Sequence, residues 1–115
     1  MKLFSYSSCS TCRKAIKWLK ENHIDFELID ILNNPPSKEM LSSASELYGD
    51  RKYLLNTSGR IYRTIGSIVI KKMSDKEVFD KLFSEPLLIK RPFLYKHNKC
   101  FLVGFKEEKW SEKLL

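Results

Sequence analysis

The chain has 115 residues, 43% hydrophobic and 30% charged, with 21 Lys and Arg against 14 Asp and Glu, for a net charge of +7. That length suits one core and so one compact domain over residues 1–115, and no segment approaches the ~20 continuous apolar residues of a bilayer span. The positive balance suits an acidic partner or anionic substrate, but it is spread among acidic residues and argues against direct nucleic-acid binding.

Lys2 to Tyr6 reads as a short, aromatic-rich first strand. Met1-Lys2-Leu3-Phe4-Ser5-Tyr6 turns polar too quickly for a secretory signal, so a cytoplasmic protein is expected. In that compartment paired cysteines are usually catalytic or redox-sensing.

Cys9 and Cys12 follow, where the strand gives way to a helix predicted from about Ser10 to Asn22. A thiol in the turn before a helix meets unpaired backbone N–H groups and the positive end of the macrodipole. Its pKa falls, and it becomes nucleophilic near neutral pH. Cys9 is therefore the candidate attacking thiol. Cys12, one turn on, is the candidate resolving thiol, with Arg13 adding positive charge. A C-x-x-C opening the first helix of a β-α-β pattern reads as a thioredoxin-like redox motif. It can also be half of a zinc site, but Cys100, His23 and His97 form no second cluster, so no metal is expected.

Ala15, Ile16, Trp18 and Leu19 form the apolar side of that helix, and Lys14, Lys17 and Lys20 a solvated stripe. Asp25 to Ile31 alternates as a half-buried strand, parallel to the first. Asn33-Asn34-Pro35-Pro36 breaks the chain, and Ser37 caps a helix running to about Ser45 or Tyr48. Asn56-Thr57-Ser58-Gly59 is a turn, with Arg60 and Arg63 just after it. Ser74 to Glu77 has capping-box spacing, and Val78, Phe79, Leu82 and Phe83 give the next helix an apolar face. Phe93-Leu94-Tyr95 and Lys99 to Phe105 pair as a hairpin across His97-Asn98. Cys100 reads as a semi-buried strand residue. Lys106 to Leu115 is a helical tail with Trp110 and Leu114 on one side. The order is β-α-β, helices, then α-β-β-α. It predicts an α/β, thioredoxin-like fold, a central mixed sheet flanked by helices, with a mostly helical insertion over about 31–84.

Four stretches resemble the arsenate reductase (ArsC)/Spx/MgsR family in order and spacing. They are Cys9-Ser10-Thr11-Cys12-Arg13-Lys14-Ala15, Leu55-Asn56-Thr57-Ser58-Gly59, Leu88-Ile89-Lys90-Arg91-Pro92 and Val103-Gly104-Phe105-Lys106-Glu107. The resemblance implies that Pro92 is a cis-proline opposite the nucleophile. In the family's arsenate reductases the cysteine matching Cys9 attacks arsenate, three arginines hold the anion, and glutathione and a glutaredoxin complete the reduction. Arg91 matches one arginine. The second falls near Asn56, with Arg60 and Arg63 displaced, and the third falls near Cys100 to Val103, where no arginine stands. Those enzymes also lack a cysteine matching Cys12. The Spx branch carries the two-cysteine motif as a redox switch and binds the C-terminal domain of the RNA polymerase α subunit, through a glycine placed close to Gly49.

Two readings result. One is a reductase of thiol, disulfide or oxyanion substrates, with Cys9 and Cys12 catalytic and Arg13, Arg60 and Arg91 binding the anion. It has no bound cofactor, and glutathione or another cellular thiol is a co-substrate. A glutaredoxin- or thioredoxin-type reductant is the expected partner of a monomer. The other is a redox-switched regulator of RNA polymerase.

Overall fold

Alternation along four short strands sends the apolar side chains to opposite faces of one sheet. The computed structural model describes all residues 1–115. Strands β1 (Lys2–Ser5), β2 (Glu27–Asp30), β3 (Phe93–Lys96) and β4 (Lys99–Val103) lie in the order β2-β1-β3-β4. β1 runs parallel to β2 and antiparallel to β3, and β3 is antiparallel to β4. Leu3, Leu94 and Leu102 face one side, where Ala15, Trp18, Leu19 and Trp110 pack on them. Phe4, Phe93 and Cys100 face the other, against Leu41, Ala44, Val78 and Leu82.

The first face is covered by α1 (Ser10–Glu21) and α6 (Glu107–Leu114). α1 buries Cys12, Ala15, Trp18 and Leu19, one side of a 3.6-residue repeat, and leaves Lys14, Lys17 and Lys20 exposed. The second face is covered by the insertion: α2 (Lys38–Tyr48), α3 (Arg60–Ile65), α4 (Ser67–Lys72) and α5 (Asp75–Ser84), with 3-10 turns at Arg51–Leu54 and Pro86–Leu88. Ser37 caps α2 by accepting from the Met40 N–H, and Ser74 and Glu77 form the reciprocal capping box of α5. α2 also closes an edge of the sheet. The Ser43 and Tyr48 hydroxyl oxygens accept from the N–H groups of Cys100 and Val103, at 2.9 and 2.8 Å. That leaves β4 little with which to recruit another strand.

Several expectations need correction. The second strand is only Glu27–Asp30, and its Leu28 is 57% exposed because it lies at the sheet edge on the α1 side, opposite Leu3. Phe83 stays 44% exposed, since Val78 and Leu82 carry the buried face of α5 with Phe79 packed against it. Cys100 is fully buried, not semi-buried. β4 stops at Val103 because Gly104 turns the chain at φ +73°. The hairpin turn is as expected: His97 and Asn98 both sit at positive φ, which a tight two-residue hairpin turn of this hand requires.

Candidate functional site

Cys9 is the N-cap of α1, in extended backbone, and its Sγ accepts the Cys12 N–H at 3.2 Å. The next two N–H groups, of Ser10 and Thr11, make no bond within the chain and border the same groove as Cys9. The first turn of α1 carries no acidic residue to neutralise this end of the helix. Burial pushes the Cys9 thiol up, but hydrogen bonds from Cys12 and the hydrogen bond and charge of Arg91 outweigh it, so its pKa is lowered. Cys12 goes the other way. Burial, then the neighbouring Cys9 sulfur, raise it to about 11. The pair is thus split into an accessible acidic thiol and a buried, protonated one. All three cysteines are free thiols.

Arg91 is held from three sides. Its Nη1 donates to the carbonyls of Leu87 and Ile89 at 2.9 and 3.0 Å, and its guanidinium lies 5.5 Å from the centre of the Tyr6 ring. Every one of these partners is neutral, so the positive charge stays available to Cys9. The Arg91–Pro92 bond is cis. Asn56 joins the same frame: its N–H donates to Leu88 O at 2.8 Å, and its side-chain amide reaches Leu87 O at 3.5 Å.

The other arginines lie elsewhere. Arg13 donates to the Ser7 carbonyl at 2.7 Å and is not among the groups acting on Cys9. Arg60 and Arg63 are exposed on α3, outside the residues bordering the groove. Among the expected residues the structure therefore brings Cys9, Cys12 and Arg91 together, and leaves Arg13 and Arg60 apart. Cys100, with its thiol pushed up to about 12 by burial, is walled off on the far face of the sheet. No sequence pattern marks Tyr6, the end of the expected first strand, as a site residue, since its contact with Arg91 exists only once β1 and the segment before β3 are adjacent.

Cys9 opens onto a groove of about 830 Å³, bordered by Tyr48, Tyr53 and Asn56 from the insertion and by Lys90, Phe105 and Lys106 from the C-terminal part of the chain. That volume accommodates a ligand several groups long. No cluster of metal-binding side chains is present.

The ArsC family model matches residues 4–113. The uncharacterized protein YusI of Bacillus subtilis (strain 168) is 42% identical over 109 residues, 93% of this chain and 92% of that protein. The global transcriptional regulator Spx of Streptococcus pyogenes serotype M1 is 28% identical over 107 residues, 92% of this chain and 78% of its own. The crystal structure of a possible arsenate reductase from Streptococcus mutans UA159 superposes with a TM-score of 0.87 at 34% identity, covering 96% of each chain. The fold is the α/β, thioredoxin-like fold of these proteins.

Proposed function

The chain belongs to the ArsC family, and from that premise we propose that it is a dithiol–disulfide oxidoreductase acting on disulfide substrates. Its Cys9 thiolate attacks one sulfur of the substrate disulfide. A Cys9–substrate bond forms, and the other sulfur leaves with the bonding electron pair and takes a proton from water. Cys12 then loses its proton and attacks the Cys9 sulfur, which releases the second substrate thiol and leaves a Cys9–Cys12 disulfide. The substrate gains two electrons and the protein loses them. A cellular dithiol reductant of the glutaredoxin or thioredoxin class, or glutathione, restores the pair.

The observation that carries this reading is the split between the two thiols, lowered at Cys9 and raised to about 11 at Cys12. The lowered pKa makes Cys9 the thiolate that attacks first, and forming the mixed disulfide removes the negative Cys9 sulfur that helps to hold Cys12 protonated. A disulfide is favoured over arsenate because a tetrahedral dianion wants several charged donors, and Arg91 stands alone beside Cys9. Reduced protein is mixed anaerobically with bis(2-hydroxyethyl) disulfide and, separately, with arsenate plus glutathione, glutaredoxin and NADPH. Reduction of one disulfide per Cys9–Cys12 pair that disappears in Cys9→Ser, and a trapped mixed disulfide in Cys12→Ser, are expected. Turnover with arsenate alone would overturn the choice of substrate.

The match to the regulator Spx over 92% of this chain favours a second reading, a redox-switched regulator that binds the RNA polymerase α subunit. Gly49, at φ +81° on the exposed end of α2, would lie at that contact. Capture of the α C-terminal domain that changes between the dithiol and disulfide forms supports this reading. Equal absence in both forms removes it.

A further inference from the structure

We infer that the groove beside Cys9 selects disulfides carried on acidic polypeptide segments, with Lys90 and Lys106 as the residues that read the carboxylates. This rests on the disulfide-reductase reading and adds the substrate class to it.

The charge lining the groove is one-sided. Five cationic side chains border it, against the single carboxylate of Glu112. Three of the five are already engaged. Arg91 is fixed beside Cys9, Lys109 lies 3.7 Å from Glu112, and Lys113 donates to the Phe101 carbonyl at 3.0 Å with its ammonium 4.9 Å from the Phe101 ring centre. Lys90 and Lys106 are exposed and have no acidic partner in the chain. The Lys90 side chain reaches Gly104, two residues before Lys106 at the N-cap of α6. The Lys90 stem crosses directly over Gly104, where an added Cβ would come within 3.0 Å of Lys90 Cε. The missing side chain at Gly104 lets Lys90 lie along the groove wall two residues from Lys106.

A second part of the lining is aromatic and apolar, with Leu47, Tyr48 and the half-exposed Tyr53. An oxyanion on Cys9 and Arg91 would leave both the lysines and this apolar part unused. A peptide segment uses them together, its backbone and apolar atoms against the tyrosines and its carboxylates on the two free lysines. The groove's remaining polar lining, Ser8, Ser10, Thr11, Asn56 and Ser58, is neutral and makes no competing demand.

The test uses three synthetic peptides of equal length, each carrying one cysteine as a mixed disulfide with 2-mercaptoethanol. The residues flanking the cysteine are Glu, Gln or Lys. Exchange with reduced protein is followed by mass spectrometry, and bis(2-hydroxyethyl) disulfide reports Cys9 reactivity independently of the groove. The acidic peptide is expected to react faster than the neutral one, and the neutral faster than the basic. Two exposed charge contacts make the acidic-to-neutral ratio about two- to thirty-fold. That ratio should collapse toward one in Lys90→Gln/Lys106→Gln and survive in Lys17→Gln/Lys20→Gln, which removes the same charge from the outer face of α1. Equal rates for the three peptides would overturn the inference, as would a preference that the groove variant retains. Absence of reaction even with bis(2-hydroxyethyl) disulfide would instead overturn the disulfide-reductase reading itself.

Discussion

Trp110 is the residue on which α6, and with it one wall of the groove, depends. An eight-residue helix has no stability of its own in water, so α6 persists only by docking. Its anchor is the Trp110 ring, 1% exposed, with centroids 5.0 Å from Phe105 and 6.1 Å from Trp18, both edge-on. The indole N–H also donates to the buried Gly104 carbonyl at 3.0 Å. Trp110→Ala removes both contributions and should cost about 3–5 kcal/mol, the usual range for emptying a large aromatic site. Trp110→Phe keeps most of the ring contact but orphans the Gly104 carbonyl, which should cost about 1–3 kcal/mol. In a domain near 100 residues each kcal/mol lowers Tm by about 4–8 °C, so Trp110→Phe should melt roughly 5–20 °C lower and Trp110→Ala lower still. Urea unfolding of the three reduced proteins gives the free energies directly. A Trp110→Ala loss under about 1 kcal/mol would refute the claim that this ring holds α6 in place.

Three further outcomes follow from the site and its supports. Arg91→Gln removes the only cation acting on Cys9, so the Cys9 titration, read from thiolate absorbance near 240 nm, should move upward; an unchanged curve would show that Arg91 does not set it. Cys100 stays protonated in the fold to about pH 12, while the unfolded thiol ionises from its ordinary value of 9.0. The unfolded state therefore loses its proton first, and stability falls as pH rises through that window, by on the order of 1.4 kcal/mol per pH unit. Cys12, raised to about 11, contributes a drop of the same sign. Cys100→Ala should make the alkaline decline shallower between pH 9.0 and about 12 in urea unfolding under reducing conditions, and an unchanged slope would count against the burial argument. Ser74→Ala breaks the capping box of α5 and should cost about 0.5–2 kcal/mol, with Cys9 reactivity toward bis(2-hydroxyethyl) disulfide untouched; a loss of that reactivity would mean that α5 and the site are coupled.

The parts of the molecule readable from sequence are those fixed by local rules. Cys9 at an N-cap, the Ser74–Glu77 box, the His97-Asn98 turn and the one-sided burial of α1 each depend on residues within a turn or two of one another. The unread parts depend on distant residues meeting. The helix Ser67–Lys72 buries only Ile70 and has glycine, with no side-chain cap, before it, so neither periodicity nor capping announces it. The burial of Cys100 comes from α2 lying over β4, where Ser43 Oγ accepts from the Cys100 N–H across a sequence separation of 57, which no local pattern announces. Arg60 reads as a candidate because it stands near Asn56, yet α3 turns it outward, and Arg13 is drawn to the Ser7 carbonyl. Proximity in sequence misled in both cases.

The same geometry supports the proposed disulfide substrate over a multiply charged anion. A carboxylate partner for Arg91 would cancel the field at Cys9. Two backbone carbonyls and the Tyr6 face instead fix the guanidinium without neutralising it. One cation and two free helix N–H groups match the single negative charge that thiol–disulfide exchange passes along its three sulfurs. A tetrahedral dianion would need the further charged donors that Asn56, standing where an arginine would be expected, does not supply. The proposal therefore assigns reactivity to the charge at Cys9 and choice of substrate to the charge at Lys90 and Lys106. The two are separable by mutation: Arg91→Gln should slow exchange with every disulfide, charged or not, whereas Lys90→Gln/Lys106→Gln should slow only the acidic peptide.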